Sequence, residues 1–239
     1  MNPLNSVRGV IIGGIVLAII IAAATSGIRL NELSLVVWIH VMAGITWIGL
    51  LYYFNFVQVP ALADAAADEG GPGGAGITKY VAPRALWWFR WGAMFTFLTG
   101  LVLLYSIGAD RDIAGQPVIW VGALAGILMF LNVWLIIWPK QQVVLGMKEG
   151  DGPSSAAKAG LASRTNTLLS GPMLFGMLGS KHLFIEGAGG TGFYACVIII
   201  LLLEANALFG KTGPMTSVKG VIHCSIALTA VLWALLAFL

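Results

Sequence analysis

Charge is what this sequence has least of. Only 10% of its 239 residues are Asp, Glu, Lys or Arg, against about 25% in an ordinary soluble domain. With 59% hydrophobic residues and a mean hydropathy of +0.91, that scarcity excludes disorder, a coiled coil and a water-soluble globule, and leaves an integral membrane protein in a lipid bilayer. Cysteine is almost missing. Cys196 and Cys224 stand in separate apolar runs and nothing resembles C-x-x-C-H, which excludes covalently attached haem, zinc-finger chemistry and a disulfide framework. The formal charge of +3 reports cytoplasmic loops and gives no sign of nucleic acid as a partner. There is no internal repeat.

What is present is apolar sequence in long runs. Seven stretches can be marked, at about Val7–Ala24, Leu35–Val57, Ala85–Ser106, Pro117–Trp138, Asn166–Ile185, Thr191–Phe209 and Val218–Leu239. At about 20 residues per crossing, seven helices use about 140 residues and leave no room for a soluble domain. The expected fold is all-α, a polytopic transmembrane helical bundle of seven spans forming one membrane domain over 1–239. Arg8 and the AAATSG segment give the first stretch the look of a secretory signal; because the chain begins at Met1, we read it as a retained helix.

Loop charges orient the bundle. With the N-terminus on one side, that side receives nine of the 13 Lys and Arg residues (Arg8, Lys79, Arg84, Lys140, Lys148, Lys158, Arg164, Lys211 and Lys219), and the other receives Arg29, Arg111 and Lys181. The positive-inside rule then predicts a cytoplasmic N-terminus and a periplasmic C-terminus in a bacterial inner membrane. Two longer connections, Ala61–Pro83 and Lys140–Thr165, fall on the cytoplasmic side. GGPGGAG in the first predicts a mobile linker. Lys140, Lys148 and Lys158 around GDGPS in the second suit a short interfacial helix. Ordinary linkers are the plainer reading of both.

Only three histidines occur, His40, His182 and His223, each within an apolar run. Ionisable residues at such positions are costly and are candidates for function. In the predicted topology His40 and His182 lie at matching depth, about 5–8 Å below the outer surface of the hydrocarbon core. Two imidazoles so placed on different helices suit bis-histidyl ligation of one haem b, their ring nitrogens serving as the iron ligands. Gly44 and Gly179 share the histidine faces and offer clearance for a flat macrocycle; Leu178 offers an apolar wall and Trp47 a stacking ring. The plainer alternative is a helix–helix hydrogen bond from each imidazole. His223 lies near the cytoplasmic end of its span, too far to share that haem. Ligation of a second haem, action as a base, substrate contact and a structural hydrogen bond all stay open for it.

Arg90 and Glu204 fall at similar depth near the cytoplasmic side, which predicts an ion pair between them. Asn55, Gln58, Asn132, Asn206 and His223 belong to the same layer. Such a layer can be glue between helices, or a pocket for a small planar anion with Arg90 as a two-pronged donor. In the pocket reading Glu204 and His223 are the catalytic candidates, and Arg90, Asn132 and Asn206 bind substrate. Trp87, Trp88 and Trp91 read as an interfacial aromatic belt.

Four segments carry a family resemblance: WIHVMAGITWIGLLYYFNFVQVPAL (Trp38–Leu62), RALWWFRWGAMFTFLTG (Arg84–Gly100), NVWLIIWPKQQ (Asn132–Gln142) and ASRTNTLLSGPMLFGML (Ala162–Leu178). Together they resemble the membrane domain of the bacterial membrane-bound urate hydroxylases, the "urate oxidase N-terminal" family, over nearly the whole chain after the first span. The shorter H-x6-W-x-G element at His40, Trp47 and Gly49 is also similar to one in the four-helix protoporphyrinogen oxidases. The resemblance implies oxidation of urate to 5-hydroxyisourate in purine catabolism, with electrons passing to a cytochrome c. In the fullest family members a cytochrome c domain follows the membrane part. Here the sequence ends at Leu239, so two expectations stay open: a separate periplasmic or membrane-bound cytochrome c takes the electrons, or this branch has lost the urate reaction. The resemblance assigns no residue roles.

Two other functions compete. One is a non-catalytic accessory subunit of a larger respiratory or other membrane complex, with or without a structural or relay haem; assembly as a homo-oligomer is a separate option for the chain. The other is a small-anion transporter, which needs paired broken helices. Gly171–Pro172 breaks the fifth span and Gly122 with Gly126 loosens the fourth, yet no such pair stands out.

Overall fold

A chain this apolar has one local solution in a solvent without hydrogen-bonding partners. The helix closes its backbone N–H and C=O groups within a single segment. The computed structural model describes residues 6–24, 32–108, 117–182 and 190–239, and among the described residues it is helical with no strand. The helices are α1 (Val7–Ala24), α2 (Glu32–Tyr52), α3 (Val59–Ala67), α4 (Ala82–Gly108), α5 (Pro117–Leu131), α6 (Trp138–Val144), α7 (Gly152–His182), α8 (Thr191–Phe209) and α9 (Val218–Phe238). The described residues of all seven apolar stretches, the final Leu239 aside, lie in helices. Residues 183–185 of the fifth stretch, and Arg29 and Arg111, fall outside the described residues.

Among the described residues, five continuous helices are long and apolar enough to cross a membrane: Leu33–Ala67, Ile77–Ile107, Pro117–Val144, Thr191–Phe209 and Val218–Phe238. They mark the chain as membrane-embedded. The chain divides into two compact units, Met1–Trp38 and Ile39–Leu239. In the first, α1 exposes apolar side chains such as Val10, Ile12, Leu17 and Ile20. In the second, α5, α6, α8 and α9 pack around α7, and α4 packs on α5.

Helix α7 is long but polar, and its position explains why. It packs against α5, α6, α8 and α9, so every residue from Arg164 to Ser170 is buried. Polar groups that would be costly against lipid are covered by protein, and the apolar residues are left for the helices around it. The α5–α7 crossing is close because both backbones are bare there: a Cβ on Gly122 would stand 3.0 Å from the Gly176 Cα. Hydroxyls inside the helices back-bond to the preceding turn, as Thr96 does to the Gly92 carbonyl (2.7 Å) and Thr165 to that of Leu161 (3.1 Å), which satisfies them without water.

Two of the long helices each contain a six-residue π-helical segment, Tyr53–Gln58 between α2 and α3, and Asn132–Ile137 between α5 and α6. The Val59 N–H bonds the Phe54 carbonyl and the Trp138 N–H bonds that of Val133, five residues back instead of four. In each case the next residue is proline, Pro60 or Pro139. A proline lacks the N–H, and its ring clashes with the carbonyl four residues back in a regular helix. Widening the turn relieves that clash.

The Lys140–Thr165 connection differs from expectation. Instead of a separate interfacial helix, α6 runs on to Val144 and α7 begins at Gly152. The Asp151 carboxylate accepts from the Ser154 N–H at 3.2 Å, an N-terminal cap of the type that starts helices.

Candidate functional site

The π-helical segment Asn132–Ile137 is the centre of the buried polar layer. Asn132, 1% exposed, uses both amide hydrogens: Nδ2 donates to Asn166 Oδ1 at 2.9 Å and to Glu204 Oε2 at 3.0 Å. Asn166 is fully buried and donates in turn to the Met129 carbonyl at 2.9 Å. One chain of hydrogen bonds therefore ties α5, α7 and α8 together around a half-buried carboxylate. Asn132 Oδ1 itself is buried without a partner.

The other charge of the layer goes elsewhere. The Arg90 guanidinium lies over the Trp138 ring, 3.6 Å from its centroid, and Nη1 is buried with no hydrogen-bond partner. Among the described residues no ion pair joins Arg90 to Glu204, which corrects the sequence expectation. Both charges are taken up by the same Pro117–Val144 helix, Glu204 through Asn132 and Arg90 through Trp138. The aromatic wall continues with Trp134 against Trp91, edge to face at 5.8 Å, and Trp87 against Trp88 at 4.9 Å. Trp87, Trp88 and Trp91 are partly exposed, as a belt residue must be.

A second polar string fastens the Tyr53–Gln58 segment to α7. Asn55 Nδ2 donates to Ser163 Oγ at 2.8 Å and to the Leu51 carbonyl at 2.9 Å, and the Tyr52 and Ser170 hydroxyls meet at 2.8 Å. Gln58 is buried with its Oε1 unpartnered. The two six-residue π-helical segments thus each carry a buried asparagine that binds α7.

Two predicted members of the layer take no part in this network. Asn206 closes the end of α8, where its Nδ2 donates to the Lys211 carbonyl at 3.1 Å and its Oδ1 accepts from the Lys211 N–H at 3.4 Å. His223 is exposed on α9, because its helix turns Val221 and Ser225 inward instead. Conversely, Asn166 and Arg164 belong to the buried set although the sequence reading put them at a span edge and in a loop. Their signal was there: an Arg–Thr–Asn–Thr run continuous with an apolar stretch.

Of the haem candidates, His40 is half-buried against α4. Its Nδ1 lies 3.1 Å from Thr99 Oγ1, and that hydroxyl sits 2.6 Å from the Phe95 carbonyl. A threonine hydroxyl has one hydrogen. Given to the carbonyl, it leaves Oγ1 to accept from Nδ1–H, so that Nε2 carries the free lone pair. The ring fits because residue 100 is glycine; a Cβ there would be 3.2 Å from His40 Cε1. Gly44 is on the same side of α2, where a Cβ would meet Thr96 at 3.9 Å. Trp47 is 2% exposed with its Nε1 unpartnered, a core residue of the α2–α4 contact and not an open stacking ring. His182 is exposed as the last residue of α7, Leu178 is exposed, and Gly179 is buried. Among the described residues no group of three or more His, Cys, Asp or Glu side chains could hold a metal ion; bis-histidyl haem needs two ligands only.

No protein-family profile matches the chain, and no curated protein or solved structure matches it either.

Proposed function

We propose that this protein is a haem b-containing membrane oxidoreductase of the kind its sequence resembles, oxidising urate or a related planar purine anion at the cytoplasmic side and passing electrons outward to a cytochrome c. The proposal includes seven spans, a cytoplasmic N-terminus and a bacterial inner-membrane location. The observation that carries it is the half-buried His40 ring, whose Nδ1 lies 3.1 Å from Thr99 Oγ1 on the neighbouring helix. A metal-ligating histidine commonly has this support: its second nitrogen held by a neighbour that fixes tautomer and orientation. In this reading His40 and the exposed His182 would hold one haem. Haem b, when bound, supplies a one-electron relay.

The chain's own groups have separate tasks in this reading. Arg90, flat on Trp138 with Nη1 unpaired, binds the planar anion. Conversion of urate to 5-hydroxyisourate takes up one water and releases two protons and two electrons. Glu204, oriented by Asn132, accepts a released proton. His223 and Asn206 have no part in it.

The test is a reduced-minus-oxidised visible spectrum with pyridine haemochrome quantification on detergent-purified protein, repeated for His40→Ala and His182→Ala, followed by anaerobic addition of urate. The expected result is one b-type haem per chain, lost in either variant and reduced by urate. Wild-type protein without haem would overturn the redox reading, and haem that urate leaves oxidised would overturn the substrate.

A second reading, a non-catalytic subunit of a larger membrane complex, is favoured by one observation: Asn132 and Asn166 spend their amide hydrogens on protein groups, as structural glue does. Isolation only as a free protein or homo-oligomer in mild detergent would count against it.

A further inference from the structure

Helix α4 presents two faces of different chemistry where it enters the membrane. Leu86, Phe89 and Ala93 are buried, whereas Trp87, Trp88 and Trp91 are 46%, 37% and 36% exposed. Trp91 follows the other two by four and three residues, which sets all three on one face. They open the apolar run that Lys79 and Arg84 flank, the depth at which lipid headgroups meet a helix.

The three rings are not coplanar. Trp87 meets Trp88 edge to face, with 4.9 Å between centroids and 85° between planes, and lies 6.3 Å from Trp91 at 49°. Indole faces in three orientations therefore open toward lipid, and an indole face attracts cations. Two neighbouring rings already hold cations of the chain, Tyr80 with Lys79 Nζ at 5.4 Å and Trp138 with Arg90. Among the described residues no cation of the chain lies over Trp87, Trp88 or Trp91. Arg84 is exposed on the same face, three residues before Trp87. One guanidinium N–H goes to the Tyr80 carbonyl, and a guanidinium has further donors to give.

We propose that this face of α4 binds the headgroup of a zwitterionic phospholipid, its ammonium on the indole faces of Trp87, Trp88 and Trp91 and its phosphate on Arg84. An arginine fork suits a phosphate. The three residues from Arg84 to Trp87 rise about 4.5 Å, a span that the two-carbon bridge between phosphate and ammonium covers. An anionic headgroup without an ammonium would use Arg84 and leave the ring faces empty. A tryptophan belt that only fixes depth has no cation to place, and so no preference among headgroups. This face is expected to have one.

The experiment is native mass spectrometry of the delipidated, detergent-purified full chain in an equimolar mixture of phosphatidylethanolamine, phosphatidylcholine and phosphatidylglycerol with the same acyl chains. As the first lipid bound to wild type, each zwitterionic lipid is expected to exceed phosphatidylglycerol by about fivefold, the worth of an exposed cation–π contact. The double variant Trp87→Leu/Trp88→Leu is expected to lose that preference. Trp233→Leu, which removes an exposed tryptophan of α9, is expected to keep it. If the double variant does not fold, Trp87→Phe/Trp88→Phe keeps rings of weaker attraction and is expected to lower the preference about twofold. Arg84→Gln is expected to reduce binding of all three lipids together, because phosphate is common to them. Equal binding of the three lipids to wild type, or a preference for phosphatidylglycerol, would overturn the site. So would a preference unchanged in the ring variants, or a loss in Arg84→Gln confined to phosphatidylglycerol.

Discussion

Arg90 places its guanidinium face on Trp138, 3.6 Å from the ring centre, and this contact stands where an ion pair with Glu204 was expected. An aromatic face compensates a cation by about 1–2 kcal/mol when the pair is desolvated and leaves the guanidinium edge free. An ion pair would have consumed that edge. The difference decides whether Arg90 is structural or available to a substrate.

Trp138→Leu removes the ring under Arg90 and keeps an apolar side chain. Under the proposed urate activity, the expected outcome is a rise of about tenfold in KM with little change in kcat, in line with losing about 1.4 kcal/mol of cation–π support. Trp134→Leu, whose ring packs on Trp91, is expected to change KM far less. Steady-state kinetics with an added cytochrome c acceptor reads both.

The Asn132–Asn166 hydrogen bond is open to a double-mutant cycle. Asn132→Ala, Asn166→Ala and the double variant are expected to show a coupling of about 0.6–1.7 kcal/mol, the range for interhelical hydrogen bonds in membranes. Unfolding titrations in mixed micelles measure it. Strict additivity would mean that the two amides do not meet.

Close backbone approach makes Gly122 intolerant of a side chain. Gly122→Ala inserts a methyl group 3.0 Å from the Gly176 Cα, and an overpacked contact of this sort costs about 1–3 kcal/mol. Gly49→Ala, with nothing within 4 Å of the new Cβ, is the matched control and is expected to leave Tm unchanged.

Under the proposed haem ligation, support of His40 by Thr99 predicts a graded haem phenotype. Thr99→Val keeps shape and loses the hydroxyl, and is expected to weaken haem retention by about 10- to 100-fold, the usual effect of removing such a partner. His223→Ala, at an exposed position on α9, is expected to retain the full haem content. Haemochrome titration of the two variants distinguishes support at His40 from a second haem at His223.

Much of this was legible in the residues. The described residues of the seven apolar stretches, Leu239 aside, lie in helices, and the shared depth of Asn132 and Glu204 anticipated their contact. Pro60 and Pro139 also carried the wide turns before them, since a proline inside an apolar helix must disturb the turn it follows. What depth could not convey was direction around the helix axis. Arg90 and Glu204 match in depth but meet different side chains of one helix. His223 lies in the right layer and turns outward, and Asn206 lies there and closes its own helix end.

Hydropathy by itself determined that the chain is helical and membrane-embedded, because apolar runs without water must close their own backbone hydrogen bonds. It could not locate α7 at the centre. That helix looks only moderately apolar in sequence, and its Arg164–Ser170 run is tolerated because neighbouring helices cover it on every side. Which polar groups are paired, which are left over and which face lipid was decided by tertiary packing. Those choices depend on the rotation and register of one helix against another, and those are set by contacts such as Gly122 against Gly176 that no single segment contains.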